Sequence, residues 1–557
     1  MIRKCFALSL SASIVLTGCA TNSSQPASTA PVPTPIVATT PQAAIKHVVV
    51  IFGENVSFDH YFGTYPNAAN LANETKFTAA AGTPTNINNY STNPSLLTAN
   101  PNLAGANGAA AANPFRLTPS QAGTADQDHN YGPEQTAFDG GKMDKFPLSV
   151  GTADTATLAT QTGAASIAAT TALTMGYYDG NTVTAMWNYA QHYAMNDHSF
   201  GSTFGPSTPG ALEIASGQTN GVINPLNVAS SIVADGQGGY TDINDADPTG
   251  DLCSSTSANF SMSGKNIGDL LNASGVTWGM FSGGFNLSTT NANGTTGCAR
   301  TSAAVNIPDN PLKADYIPHH EPFQYYASTA NLNHLRPTST AAIGTTDQAN
   351  HQYDIADFST ALAAGNLPAV SFLKAPGFQD AHAGYSDPLD EQTFVVNTIN
   401  SIESSPFWSS TAIIIAYDDS DGWYDHLTDF VNGSATTADS LNGAGVCIST
   451  TAAAAALPGP NSNGKPVQGR CGHGPRLPFL VISPWANKNY IDNTPTDQAS
   501  IPRFIEDVFL NSQRLGGGSF DATAGTLMNM FNFTSTVAPN PNVVLLNPTT
   551  GVVTTGN

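Results

Sequence analysis

Four stretches of the chain are short, almost unbroken apolar runs rich in Val and Ile: Ile45 to Phe52 (IKHVVVIF), Pro368 to Leu373 (PAVSFL), Thr411 to Tyr417 (TAIIIAY) and Pro478 to Ser483 (PFLVIS). A strand that faces water on one side alternates apolar and polar side chains. A strand covered on both faces has no reason to alternate and reads as a continuous apolar run. Val276 to Phe281 (VTWGMF) is a weaker run of the same kind. Between these runs lie helical patterns at Val183 to Met195, Ala211 to Ser216, Asp390 to Ser404 and Gln498 to Leu510. Strands alternating with helices predict an α/β domain with a mainly parallel central sheet flanked by helices.

Three stretches interrupt the alternation, 68–125, 221–301 and 431–468, all rich in Gly, Asn, Ser, Thr and Pro. Strand-like or helical segments resume after each, so they are expected to be loop-rich insertions in one domain. The expected organisation is a signal over 1–18, a disordered Pro/Ser/Thr-rich tether over 19–44, a catalytic domain over 45–535 and a polar tail over 536–557. Arg3 and Lys4 precede a short apolar stretch that ends in Leu16-Thr17-Gly18-Cys19, which resembles a bacterial lipobox. That stretch is too short to span a bilayer comfortably. The expectation is an exported protein anchored to a membrane by lipid on Cys19, at the outer membrane or cell surface, or else periplasmic or secreted. Of the 6 cysteines, Cys253, Cys298, Cys447 and Cys471 remain beyond Cys5 and Cys19. Export makes disulfides plausible, and sequence proximity favours Cys253–Cys298 and Cys447–Cys471.

The balance of 18 Lys+Arg against 40 Asp+Glu leaves a formal charge of -22, yet only 10% of residues are charged, against about 25% in an ordinary soluble chain. So few cations argue against nucleic acid as a partner and against electrostatic docking on anionic lipid.

Polar residues cluster just after the apolar runs. Phe52 is followed by Gly53-Glu54-Asn55, Tyr417 by Asp418-Asp419, and Leu373 by Lys374 and then His382. In open α/β sheets the C-terminal strand ends form the binding crevice, so these segments can converge. Taken singly, Glu54 is explained as a helix cap and Asp418-Asp419 as a solvated turn. Taken together, adjacent carboxylates that repel each other unless a cation lies between them point to a divalent metal with oxygen ligands. Ca²⁺ suits such ligands best, with Mg²⁺, Mn²⁺ or iron as alternatives. Ser207, in Phe204-Gly205-Pro206-Ser207-Thr208-Pro209-Gly210, falls at or just before a helix start. Unpaired N–H groups there favour phosphate, and a hydroxyl activated by a cation attacks phosphorus; an N-cap role is the simpler alternative. His129, His319, His320 and His382 stand in polar contexts suited to proton transfer or phosphate binding.

IKHVVVIFGENVSFDHYFGTYP resembles the opening motif of the bacterial phosphoesterase family that contains phospholipases C and AcpA-type acid phosphatases, within the alkaline phosphatase-like superfamily. The resemblance continues in order through DHNYGPEQTAFDGGKMDKF, FGPSTPGALEIASGQ, HHEPFQYYASTANLNHLRP, DAHAGYSDPLDEQTFVVNTIN, IIIAYDDSDGWYDH, CGHGPRLPFLVISPW and SIPRFIEDVF. It implies an α/β fold of the alkaline phosphatase type. It also implies metal binding by Glu54, Asn55, Ser207, Asp418 and Asp419, a nucleophilic Ser207, and His129, His319, His320 and His382 around the phosphate. The chain departs from phospholipase relatives, which carry Pro-Asn-Arg after the nucleophile, in having Pro209-Gly210-Ala211, and it has Asn493 where many relatives have His. It lacks the Arg of the sulfatase motif. The expected function is a metal-dependent phosphoric ester hydrolase, an acid phosphatase acting on phosphomonoesters through a phosphoserine. The alternatives are a phospholipase C that releases lipid head groups and a non-catalytic surface binding lipoprotein. Charged histidines would favour acidic pH.

Overall fold

The computed structural model describes residues 39–151, 171–234, 239–307, 312–428, 473–534, 536–541 and 543–555. The signal, Cys19 and the Cys447–Cys471 pairing lie outside the described residues, as does the whole insertion expected at 431–468.

The eight strands of the central sheet are β1 (His47–Gly53), β2 (Ala194–Asn196), β3 (Trp278–Ser282), β4 (Gln352–Asp354), β5 (Val370–Lys374), β6 (Thr411–Tyr417), β7 (Phe479–Ile482) and β8 (Tyr490–Asp492). They lie in the order β4-β3-β5-β1-β6-β7-β2-β8. All pairings are parallel except those of β7 with β6 and β2, so β7 alone runs against the rest. β1 lies between β5 and β6, its Val50 level with Phe372 and Ile414. Val48, Val49, Val50, Ile413 and Ile414 are wholly buried, as strands covered on both faces require.

The main helices are α1 (Phe58–Phe62), α2 (Thr184–His192), α3 (Ser207–Ser216), α4 (Ile267–Ala273), α5 (Ile355–Ala363), α6 (Pro388–Glu403) and α7 (Ser500–Phe509). α6 starts where the Asp387 carboxylate accepts the N–H groups of Leu389 at 2.8 Å and Asp390 at 3.1 Å, with Pro388 in the first turn. Its Val395, Val396, Ile399 and Ile402 are buried at helical spacing.

The apolar runs became strands within a residue or two of where they were read, but a run carries no information about direction. The reversed β7 is therefore a finding of the fold. The helix read over Val183 to Met195 ends at His192, and Ala194–Asn196 is instead drawn into the sheet between β7 and β8. β4, β8, α4 and α5 were not read from the sequence; β4 and β8 are only three residues each, too short for periodicity to show. Just before β1, Pro41–Ala44 is a helical turn capped by Thr40, and Ala44 and Ile45 are buried. The polar tail docks on the domain. Its strands Leu545–Leu546 and Val553–Thr555 pair with each other, the Leu546 N–H donates to Asn400 of α6 at 3.1 Å, and the Val544 N–H donates to Glu403 at 2.5 Å. A disulfide joins Cys253 to Cys298, with Cα atoms 5.2 Å apart. Among the described residues no helix is long and apolar enough to cross a membrane.

Candidate functional site

Glu54 and Asn55 leave β1, Lys374 ends β5, and Asp418 and Asp419 leave β6, so three adjacent strands deliver their polar ends to one place. Asn55 turns the chain with a positive φ of 53°, and its N–H donates to Asp418 Oδ1 at 3.0 Å. α3 brings the hydroxyl. Pro206 is the N-cap and Ser207 the first helical residue. Ser207 Oγ donates to Glu54 Oε2 at 3.0 Å and lies 3.3 Å from Asp419 Oδ2. Ser207 therefore does not cap its own helix; its hydroxyl points at the carboxylates. Two glycines allow the approach. Gly205, with φ 112°, would press a Cβ to 2.5 Å from the Ile243 carbonyl, and a Cβ on Gly210 would lie 2.1 Å from the Asp418 carbonyl oxygen.

The expected phosphate cradle at the start of α3 is partly taken. The Thr208 N–H donates to Asp245 Oδ1 at 2.9 Å, so a carboxylate of the chain already uses one of the free N–H groups of the first turn.

The four histidines border this cluster. His320 Nδ1 lies 2.9 Å from Glu54 Oε1. His319 reaches Asp247 at 3.3 Å and Asp245 at 3.9 Å, its ring edge-on to His320 with centroids 4.5 Å apart. His129 Nε2 is 3.3 Å from Asn55 Nδ2, and its Nδ1 lies 3.4 Å from Asp421 and 3.6 Å from Asp126. His382 meets His129 edge-on at 5.7 Å between ring centroids. The structure thus brings all nine sequence-read site residues into one neighbourhood. It gives a place to Lys374, noted after its strand but assigned no role, which ion-pairs with Glu54 and lies 3.3 Å from Asp418, and it adds Asp126, Asp380 and Asp421 and Glu134. Lys374 carried a usable signal, as a lone cation at the end of an apolar strand.

Electrostatics divide the histidines into two kinds. Burial disfavours charge on His129, but Asp419, Asp421 and Asp126 overcome it and hold the imidazole well above its ordinary range. Burial likewise opposes charge on His319, where Asp245 and Asp247 raise it. Burial and the neighbouring His319 and Lys374 push His320 well below its usual value, and burial lowers His382. Their neighbours therefore favour charge on His129 and His319, while burial disfavours it on His320 and His382. Among the acids, burial and the nearby Glu54 push Asp418 up to about 7 against the pull of Lys374. Burial drives Asp419 up strongly despite His129. Burial would raise Glu54 too, but Lys374, Asp418 and His382 keep it low.

Buried acids thus outnumber the cations beside them, and one oxygen marks where positive charge belongs. Asn55 Nδ2 donates to Asp421 Oδ1 at 3.2 Å. Asn55 Oδ1 is left buried without a hydrogen-bond partner. That oxygen, on the residue next to Glu54 and tied through its backbone N–H to Asp418, is the kind of donor a hard divalent cation takes. Two further groups have donor atoms close enough to share an ion: Glu54, His320 and Asp380, and Asp126, His129, His382 and Asp421.

The phosphoesterase family model matches residues 45–510. The chain is 24% identical over 501 residues to a non-hemolytic phospholipase C of Pseudomonas aeruginosa, covering 89% of this chain and 58% of that protein. It is 30% identical over 177 residues to a non-hemolytic phospholipase C of Burkholderia pseudomallei, covering 31% of this chain and 24% of that protein. A non-specific phospholipase C6 of Arabidopsis thaliana is 26% identical over 178 residues, 28% of this chain and 29% of that protein. The matches therefore span less than two thirds of each of these relatives. Among solved structures, a protein in the alkaline phosphatase superfamily from Vibrio parahaemolyticus aligns with a TM-score of 0.24 and 13% identity over 58% of this chain and 60% of that one. With its matched span running from the first central strand through the last long helix, the chain belongs to the phosphoesterase family.

Proposed function

We propose that the protein is an exported, metal-dependent phosphoric ester hydrolase acting on phosphomonoesters, with Ser207 as nucleophile. The observation that carries this reading is the hydroxyl at the start of α3, aimed away from its own helix and held between Glu54 and Asp419. A cation bound by Glu54, Asn55, Asp418, Asp419 and Ser207 would supply Lewis-acid polarisation and lower the pKa of the serine hydroxyl. Ser207 Oγ attacks phosphorus, its proton passing to a neighbouring carboxylate, and the bond from phosphorus to the leaving oxygen breaks in line. A protonated histidine, best supplied by His129, delivers its proton to that oxygen. Water then attacks the phosphoserine, giving inorganic phosphate and restoring the hydroxyl. His319 would neutralise charge as it builds, and His320 and His382 would donate hydrogen bonds to the phosphate oxygens.

A second reading, phospholipase C, is favoured by the similarity to proteins of that name. The departure at Gly210 from their Pro-Asn-Arg run weighs against their head-group preference. A panel of p-nitrophenyl phosphate and p-nitrophenylphosphorylcholine, each with and without chelator, separates the two. We expect chelator-sensitive turnover with the monoester preferred. Preference for the choline diester makes phospholipase C the better reading. Turnover of neither by metal-loaded protein removes the hydrolase proposal and leaves a surface binding lipoprotein. Export and a lipid on Cys19 are checked by mass spectrometry of the mature N-terminus.

A further inference from the structure

One cation beside the site has no acidic partner. Lys313 lies on the short strand Lys313–Ala314, which pairs with Thr301–Ser302. Its Nζ lies 3.8 Å above the centre of the Tyr385 ring. Among the described residues it makes no ion pair or hydrogen bond, whereas Lys374, Arg116, Arg300, Arg336, Arg476 and Arg514 each pair with a carboxylate. It is not remote from charge. Burial disfavours its charge and lowers its pKa, while Asp380, Glu54, Asp126 and Asp245, from four separate segments, work the other way, and it acts in turn on His319 and His382. Tyr385 fixes its place, since that ring stacks on His382 at 4.4 Å and its hydroxyl donates to Asp380 at 3.3 Å. An ammonium set on an aromatic face amid carboxylates, yet bound to none, remains free to meet an anion from solvent.

We infer that Lys313 is a specificity-determining residue that reads the second negative charge of a phosphomonoester, favouring dianionic monoesters over diesters at this site. The inference rests on the proposed phosphoric ester chemistry. It gives a physical basis for a monoester preference in a chain where Arg is absent after the nucleophile. A diester carries one charge and places an alkyl oxygen where the monoester offers a second anionic oxygen. Lys313 gains a charge-assisted hydrogen bond with the first substrate and little with the second.

The test is the ratio of kcat/KM for p-nitrophenyl phosphate to that for p-nitrophenylphosphorylcholine in the metal-loaded full chain. In Lys313→Met the ratio should fall about tenfold or more, mainly through KM for the monoester, as expected when a hydrogen bond to a charged group is lost. Lys313→Arg should recover most of it. Inorganic phosphate, measured by calorimetry, should bind Lys313→Met about tenfold more weakly. A ratio within twofold of the unaltered protein, or equal losses on both esters, overturns the inference. So does phosphate affinity that does not change. If the unaltered protein hydrolyses neither ester, the hydrolase reading fails, and phosphate affinity alone still decides the role of Lys313.

Discussion

Two buried charge clusters grow from the same two pieces of chain, and they solve the problem of buried charge in opposite ways. Glu54 and Asn55 after β1, with Asp418 and Asp419 after β6, form the candidate site. Five residues past Glu54 and six past Asp419, Asp59 and Asp425 form a second cluster around Arg476. That arginine donates to Asp59 at 3.1 Å and to both oxygens of Asp425 at 3.1 and 3.2 Å, and to the Asn88 and Asp197 carbonyls at 2.7 and 2.9 Å. His426 adds a bond to Asp59 at 2.5 Å. Every strong charge there has a partner, and Arg476 ties together chain on both sides of the 429–472 segment. The first cluster has more acids than cations and keeps a bare amide oxygen on Asn55. A cluster that is saturated internally holds the fold together. A cluster left short of positive charge has chemistry still to do with something from outside.

This contrast predicts that the two clusters fail differently. The largest effect is expected from Ser207→Ala, with hydrolysis of p-nitrophenyl phosphate down by about a thousandfold or more and the urea midpoint almost unchanged; retained full activity would remove Ser207 as the nucleophile. Arg476→Ala should show the reverse weighting. It strands Asp59 and Asp425 in the interior and costs about 3–5 kcal/mol of stability, read from urea unfolding, and joint replacement of both acids by Asn should restore much of it. Gly210→Ala touches both properties. Its Cβ would meet the Asp418 carbonyl at 2.1 Å, so the start of α3 must move. We expect a stability loss of about 1–3 kcal/mol and activity lowered more than that loss explains; normal activity would show that the close approach is not needed.

The smallest effect sharpens the comparison with a third solution, protonation. Glu391 is buried and accepts from Tyr61 at 2.8 Å and from Tyr417 at 2.5 Å. Burial pushes it up to about 7, with both tyrosines pulling the other way. A carboxyl raised in the folded state stabilises the protein while it stays protonated. Its contribution is whole below the unfolded value near 4.5 and is lost as pH rises towards about 7. The expected change is at most about 3 kcal/mol. Thermal midpoints of Glu391→Gln should fall less steeply across that window than those of the unaltered chain, and parallel curves would refute the assignment.

The strands that matter most for the site were legible because they are buried on both faces, and complete burial writes a local pattern of Val and Ile. The site carboxylates were legible for a related reason: in a chain so poor in charge, acids directly after such strands stand out. The resemblance to a known family then joined segments that no spacing rule connects. Less could be read where the decisive contact is distant. Ala194–Asn196 followed a helical pattern and became a strand because β7 and β8 offered hydrogen bonds on both sides. The N–H of Thr208 looked free for phosphate, and Asp245 turned out to use it. The histidines looked alike, and their neighbours divided them.

What the sequence determined by itself was the α/β class, the positions of the central strands and the identity of the residues gathered at their ends, since apolar runs and local turns act over a few residues. Only the tertiary structure decided the direction of β7, the pairing of Arg476 with two acids, the approach of Gly210 to Asp418 and the unpartnered places of Asn55 Oδ1 and Lys313. These depend on what lies across a few ångströms of space between residues hundreds of positions apart, where the balance of buried charge is set.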